Sequence, residues 1–230
     1  MPSSRLRPLS SSVGTKIVIG LSGLFLVLYL LIHVGGNLLV FLGPQVFNRY
    51  AYNMEVRNPT LPILEILILI GFLIHIFKTV RMYFANSAAR PVSYVKKERA
   101  GYTSRKSFAS STMIITGLWL LVFVVIHAKT FRAGWGHEYE WAPGGRDLYR
   151  QELETFSNPL VVGFYVLTMA VVGSHLWHGI GSAFQSLGLT HPTWTPRILA
   201  AGKIIAVLIA GGFMIIAVWA YMQHGGQVHV

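Results

Sequence analysis

Five long apolar stretches divide the chain and constrain its fold more than any other feature. A helix needs about 20 apolar residues to cross about 30 Å of hydrocarbon, and each stretch reaches about that length. The stretches run near Ile17 to Leu42, Leu61 to Val80, Ser110 to Ala128, Leu160 to Phe184 and Ile198 to Tyr221. Lipid permits only helices or closed barrels, and no segment shows the ten-residue alternation of a barrel strand. We therefore predict an all-α integral membrane protein with five transmembrane helices, as a single domain over residues 1–230.

The composition supports a membrane environment and limits the cofactors that the chain can hold. Of the 230 residues, 53% are hydrophobic and 12% are charged, which is too apolar for a soluble domain of this size. The chain has no cysteine, which excludes disulfides, thiolate-held iron–sulfur clusters and covalently attached haem within it. Any iron–sulfur cluster of the same complex must belong to a partner chain.

Basic residues orient the predicted bundle. Three segments on one side hold 13 of the 19 Lys and Arg residues: the N-terminus and the loops that follow the second and fourth spans. By the positive-inside rule we expect this side, with the N-terminus, to be cytoplasmic. The net charge of +11 then reflects topology, together with contact to anionic lipid or a soluble subunit. We expect the first span to be retained, because it is about twice as long as a signal-peptide core and lacks a small-residue cleavage site.

Four of the five spans contain a histidine, namely His33, His75, His127 and His175. Ionisable groups at bilayer depth are costly and usually functional, and histidine is a common ligand of haem iron. At 1.5 Å per residue, His33 and His127 lie roughly 27–29 Å from the cytoplasmic end, and His75 and His175 lie roughly 14–18 Å from it. The depths predict two bis-histidine haems in layers on the order of 12 Å apart, with no open iron position, so that they pass electrons.

Spacing leaves two matters open. His178 lies three residues after His175 on nearly the same helix face, so either one satisfies the pattern. Histidines at this depth also serve as relays in a non-haem transporter or proton channel, and a chain of that class would have no haem spectrum.

Two motifs resemble a known family. The segments Ser174–Gly188 (SHLWHGIGSAFQSLG) and Phe41–Ala51 (FLGPQVFNRYA) are similar to the cytochrome b membrane anchor of succinate dehydrogenase and fumarate reductase, in its single-subunit, five-helix, di-haem class. The resemblance implies two haem b groups, a distal one on His33 and His127 and a proximal one on His75 and His175. It favours His175 over His178, because the ligand of the fourth helix is followed four residues later by a glycine, here Gly179.

The resemblance also implies partners and a location. The implied partners are an iron–sulfur subunit and an FAD-bearing flavoprotein on the cytoplasmic side, and a quinone, expected to be menaquinone. The implied location is a bacterial cytoplasmic membrane. Glu55 matches a position where some menaquinone-linked members carry a functional glutamate, so it is the candidate quinone residue. Gly173 stands where some fumarate reductases carry a glutamate, which favours succinate oxidation over the alternative of a quinol:fumarate reductase anchor.

Haem propionates require cations or polar donors near a membrane face. The candidates near the inner histidines are Lys78, Arg81, Ser182 and Gln185. The basic loop from Arg81 to Ser107 is the expected docking surface for the soluble subunits, and the loop from Thr130 to Ser157 is expected on the external side.

Overall fold

A computed structural model describes residues 11–89, 108–133 and 139–227. The long helices are α1 (Ser12–Asn37), α3 (Leu61–Ala88), α5 (Met113–His127), α7 (Pro159–Ser186) and α8 (Trp194–Gln227). Shorter helices are α2 (Pro44–Glu55), α4 (Phe108–Ser111) and α6 (Leu148–Thr155), and a two-stranded hairpin pairs β1 (Glu140–Ala142) with β2 (Gly145–Arg146). Within the described residues, five helices are long and apolar enough to cross a membrane. The prediction of an all-α membrane protein with five spans is thereby confirmed.

Local sequence explains where the spans begin. The Ser11 hydroxyl accepts a hydrogen bond from the Gly14 amide at 3.0 Å, and the Asn158 side chain accepts one from the Leu160 amide at 2.9 Å. Both side chains cap amides that would otherwise lack a partner, and Pro159 suits the first helical position because it has no amide hydrogen to satisfy.

Four of the long helices form a ring, and the fifth packs outside it. Going round the ring, α1 packs on α3 and α7, and α7 packs on α5, while α3 and α5 meet along only a short length. Helix α8 packs mainly on α7 and also on α1. The helices at opposite corners, α1 with α5 and α3 with α7, therefore face each other across the centre of the ring.

Small residues allow the closest helix approaches. A Cβ atom at Gly181 would lie 2.5 Å from the Leu199 side chain, and one at Gly173 would lie 3.2 Å from the Ala210 Cβ atom. Ala206, Ile209 and Ala217 of α8 are almost fully buried. The α7–α8 contact is thus a small-residue interface of the kind that drives association in lipid, where backbones must approach closely for van der Waals contact.

The connections differ from the expected loops in three places. Helix α3 runs to Ala88, so Arg81 lies within a helix rather than in the basic loop. The expected external loop contains a π-helical turn (Ala128–Arg132), the hairpin and α6. Helix α2 was not predicted, although Gly43 at φ 88° followed by Pro44 is a recognisable helix start. Residues 90–107 of the basic loop lie outside the described residues.

Two adjacent glycines of α8 offer a matched test of this packing. A Cβ at Gly212 would lie 2.7 Å from Val34 Cγ2, whereas one at Gly211 would meet nothing within 4 Å. Both alanine substitutions gain the same helix propensity, so their difference isolates the clash with α1. We expect Gly212→Ala to be less stable than Gly211→Ala by about 1–3 kcal/mol in unfolding from mild detergent. Equal stability of the two variants would contradict the packing of α8 on α1.

Candidate functional site

The outer histidine pair meets across the centre of the ring. His33 of α1 and His127 of α5 have ring centres 5.9 Å apart, with ring planes at 83°. Metal–imidazole bonds of about 2 Å, plus about 1 Å from each nitrogen to its ring centre, give a separation of about 6 Å for two imidazoles on one ion. The distance between these two rings therefore suits one metal ion bound by both imidazoles.

The inner pair joins the other two opposite helices. His75 lies on α3 and His175 on α7, the two helices at the remaining opposite corners of the ring. Each ring rests against a glycine of a neighbouring helix: a Cβ at Gly23 would lie 3.1 Å from His75 Cε1, and one at Gly117 would lie 3.6 Å from His175 Cε1. The absence of a side chain at Gly23 leaves room for the His75 imidazole, whereas a Cβ at Gly117 would be in ordinary contact with His175.

Hydroxyl groups are the hydrogen-bond partners of the inner rings. His75 Nδ1 lies 3.2 Å from Ser22 Oγ, and His175 Nδ1 lies 2.9 Å from Thr116 Oγ1. Each hydroxyl also lies within hydrogen-bond distance of a carbonyl of its own helix, Ser22 at 2.7 Å from Val18 and Thr116 at 3.1 Å from Thr112. Both hydroxyls can therefore accept from Nδ1–H, and in that tautomer Nε2 of each histidine has a free lone pair. A histidine binds a metal in this tautomer when its second nitrogen is held by an outer partner.

The outer rings have weaker polar partners and an aromatic surround. His127 Nδ1 lies 3.4 Å from the Tyr165 hydroxyl, and His33 Nδ1 lies 3.4 Å from Asn37 Nδ2. The Asn37 nitrogen donates, so the Nδ1–H form of His33 requires that amide to turn its oxygen toward the ring. Several aromatic rings pack against the pair with centre distances of 5.2–5.4 Å, namely Tyr29, Phe123, Phe131 and Phe213.

One orphaned polar atom adds to the fit at the inner pair. The buried Thr79 hydroxyl has no hydrogen-bond partner among the described residues. Thr79 lies one helical turn after His75, on the same face of α3. Buried hydroxyls are ordinarily hydrogen-bonded, so this face is suited to a polar group of a bound ligand. The two inner imidazoles, the glycine beside His75 and the unpaired hydroxyl together suit a bis-histidine haem at this level, and the paired imidazoles suit one at the outer level.

A cap of extramembrane elements covers the outer pair. The π-helical turn begins directly after His127, and its bond from the Ala133 amide to the Ala128 carbonyl measures 3.0 Å. Gln151 donates to the Thr130 carbonyl at 2.5 Å, and Arg146 donates to the Phe131 carbonyl at 2.7 Å. The cap therefore holds the turn that positions His127.

The candidate quinone residue belongs to this cap. Both carboxylate oxygens of Glu55 accept hydrogen bonds from Arg146, and each of the two side chains is about one-fifth to one-quarter exposed. Glu55 is thus joined through a single arginine to the turn after His127. Its role toward quinone stays a prediction.

A buried carboxyl lies beside the same cap. Glu152 of α6 is 5% exposed, and burial raises the pKa of its carboxyl to about 8. Because the folded state then holds a proton that the unfolded state releases near its ordinary pKa of 4.5, this group lowers stability as pH rises from 4.5 toward 8. Phe156, which follows Glu152 by four positions, packs on Tyr165 with ring centres 4.9 Å apart, and the Tyr165 hydroxyl lies 3.4 Å from His127 Nδ1.

The remaining predicted residues are placed as follows. Lys78 follows His75 by three positions and Ser182 follows His175 by seven, so each shares the face of its histidine. Arg81 and Gln185 are exposed and lie on other faces of α3 and α7.

His178 has no hydrogen-bonded partner among the described residues, in contrast to His175. Gly173 lies against α8, where a larger side chain would meet Ala210.

Sequence reasoning missed the partners of the imidazoles. Ser22, Thr116 and Tyr165 look like ordinary helix residues in the sequence, although Ser22 and Thr116 each lie one residue before a glycine that contacts an inner histidine. Burial of Glu152 had no signal beyond an acid within an amphipathic segment.

Comparison with family models, curated proteins and solved structures found no match for this chain. The geometry of the site and the two sequence motifs are therefore what indicate a function.

Asn48 tests how firmly the cap is held. It is fully buried, donates to Asp147 Oδ1 at 2.7 Å and accepts from the Tyr149 amide at 2.9 Å. Asn48→Ala leaves the Tyr149 amide without its acceptor and Asp147 Oδ1 with only the Arg150 amide as donor, which costs about 1–3 kcal/mol. We expect faster amide hydrogen exchange in α6 and β2, whereas Asn53→Ala, at an exposed position of the same helix, should leave exchange unchanged. Unaltered exchange in Asn48→Ala would contradict this role.

Proposed function

We propose that this chain is the membrane anchor and electron-transfer subunit of a succinate:quinone oxidoreductase in a bacterial cytoplasmic membrane. The observation that supports the haem assignment is the hydroxyl beside Nδ1 of each inner histidine, because that hydroxyl can accept from Nδ1–H while it donates to a carbonyl of its own helix. Two haem b groups would supply one-electron relay between the partner subunits and quinone. The succinate-oxidising site, with its FAD and iron–sulfur clusters, belongs to the partner subunits.

In this proposal the chain's own residues bind the haems and orient the imidazole rings. His75 and His175 would hold the proximal haem, and His33 and His127 would hold the distal one. Ser22, Thr116 and Tyr165 fix the ring orientations by accepting from Nδ1–H. Lys78 and Ser182, on the histidine faces, are the favoured propionate partners, ahead of Arg81 and Gln185.

The identity of the partners depends on the motif resemblance. The quinone, expected to be menaquinone, would react near the outer pair, where Glu55 and Arg146 lie beside the turn after His127. Gly173 stands where some fumarate reductases carry a glutamate, and the resemblance therefore favours succinate oxidation over fumarate reduction.

Haem quantification of single histidine variants tests the ligand set. We expect two haem b per wild-type chain, and loss of one when any of His33, His75, His127 or His175 is replaced by alanine. His33→Ala and His127→Ala should lose the same spectral component, and His75→Ala and His175→Ala the other, since each pair shares one iron. His178→Ala is the control and should retain both.

Three results would contradict this assignment. A wild-type chain without haem would favour a transporter or proton channel. A wild-type chain with one haem would exclude one of the two predicted haem sites. Loss of haem in His178→Ala but not in His175→Ala would reassign the ligand. Purification with an iron–sulfur subunit and a flavoprotein, together with reduction of the haems by succinate, tests the partners.

Thr116 tests the role of the hydroxyl partner. Thr116→Val keeps the shape but leaves His175 Nδ1–H without an acceptor, so we expect haem affinity at the inner site to fall about 10–100-fold in a titration of the haem-free protein. Thr130→Val is the matched control, because the Thr130 hydroxyl also bonds a helix carbonyl, that of Ile126, and is exposed. An unchanged affinity in Thr116→Val would show that the hydroxyl does not hold the ligand.

A further inference from the structure

The hairpin of α7 and α8 carries two positive charges and no negative one. From Thr155 to the end of the chain the sequence contains no Asp or Glu, and its only Lys and Arg residues are Arg197 and Lys203. Neither cation has an ion-pair partner among the described residues. Each lies instead over a tryptophan ring, Arg197 at 4.9 Å from the centre of Trp194 and Lys203 at 5.2 Å from that of Trp177. An anion that balances these charges therefore has to come from outside the hairpin.

The two cations lie at different depths. Arg197 lies in the first turn of α8, where a long basic side chain reaches the aqueous interface easily. Lys203 lies within the apolar span, roughly 13 Å further along the helix axis than the start of α8, at 1.5 Å per residue. Lys203 is exposed, and so are the apolar residues that follow it on the outside of the bundle, namely Ile204, Val207 and Leu208. A charge that faces hydrocarbon is costly and indicates a functional site.

A cleft of about 430 Å³ lies between Lys203 and the end of the hairpin. Leu199 and Pro196 line it, and they lie on the same face of α8 as Lys203, one and two turns nearer the start of the helix. Helical side chains lean toward the helix N-terminus, which for Lys203 is the direction of the cleft. The remaining lining residues are Thr190, His191, Pro192 and Thr195. The lining therefore offers hydroxyls and an imidazole to a polar group, and no carboxylate to a cationic one.

Trp177 keeps the lysine at the groove between α7 and α8. The Leu199 side chain lies where a Cβ at Gly181 would be, 2.5 Å away, and Gly181 is one helical turn after Trp177. Lys203 and Trp177 thus lie one turn deeper along the same line of contact between the two helices. The Trp177 ring is 45% exposed, so it presents an apolar surface to lipid while it attracts the ammonium group of Lys203.

We propose that this groove binds one anionic phospholipid whose headgroup carries hydroxyls rather than an ammonium group, as in phosphatidylglycerol. Lys203 contacts the phosphate, the cleft receives the headgroup, and Trp177 lies along the upper part of an acyl chain. An acidic surface of a soluble partner fits less well, because lipid-facing apolar residues surround Lys203. The inference depends on neither the haems nor the proposed function.

Lipid retention by the full chain in mild detergent tests the site. Native mass spectrometry counts the bound lipid after incubation with equal amounts of phosphatidylglycerol and phosphatidylethanolamine that have the same acyl chains. We expect the wild type to retain one phosphatidylglycerol, and Lys203→Gln to bind it about fivefold more weakly, the contribution of one basic side chain near a lipid surface. Lys203→Arg should bind as the wild type does. Arg197→Gln is the matched control, with the same loss of charge on the same helix, and should also retain the lipid.

Several outcomes would overturn the proposal. Equal retention of the two lipids by the wild type would exclude an anionic lipid site, and this comparison holds even where no variant assembles. Equal affinity in Lys203→Gln and wild type would exclude the lysine, and an equal loss in Arg197→Gln would show general attraction of basic charge to anionic lipid.

Two further arms distinguish other occupants. Thermal stabilisation by inorganic phosphate as large as that by phosphatidylglycerol would assign the cleft to free phosphate. Weaker copurification of a soluble protein with Lys203→Gln, at unchanged lipid binding, would assign Lys203 to a protein interface. Either result would overturn the lipid site, whereas a chain that lacks haem would leave it untouched.

Discussion

An imidazole inside an apolar helix bundle is stable only if its polar nitrogens are satisfied, and this constraint organises the centre of the protein. Each inner histidine meets a hydroxyl of the neighbouring helix, and that hydroxyl is itself committed to its own helix backbone. One nitrogen of each ring is thereby satisfied, and the other is directed elsewhere with its lone pair free. The adjoining glycines follow from the same need, because an imidazole between helices requires space that a larger residue would fill.

The outer level is organised differently. Its imidazoles have longer polar contacts, and aromatic rings surround them. His127 is positioned instead through the extramembrane cap. Arg146 and Gln151 of the cap donate hydrogen bonds to two carbonyls of the π-helical turn after His127. Such turns leave backbone carbonyls free of the regular helical pattern, and here these carbonyls are the points at which the cap holds the helix. The inner site thus depends on contacts within the membrane, and the outer site on contacts outside it.

Much of the fold could be predicted from the sequence because hydrocarbon thickness sets helix length. The five spans and the relative depth of the four histidines follow from counting residues at a known rise. The cap could not be predicted, because its stability comes from contacts such as that between Asn48 and Asp147, which are 99 positions apart. The partners of the histidines were missed for the same reason, since a serine at position 22 reveals nothing about a ring at position 75. Arg81 was assigned to a loop because its charge was taken to end the span, whereas long basic side chains near a helix end can extend to the interface.

Helix α3 differs from the other spans in having no buried residue. It packs chiefly on α1, touches α5 over a short length, and is joined to the end of that helix by an exposed ion pair between Glu65 and Arg132. Every residue of α3 therefore keeps some exposed surface. In the proposed function, a flat macrocycle between His75 and His175 would cover part of that surface and add contact between α3 and α7.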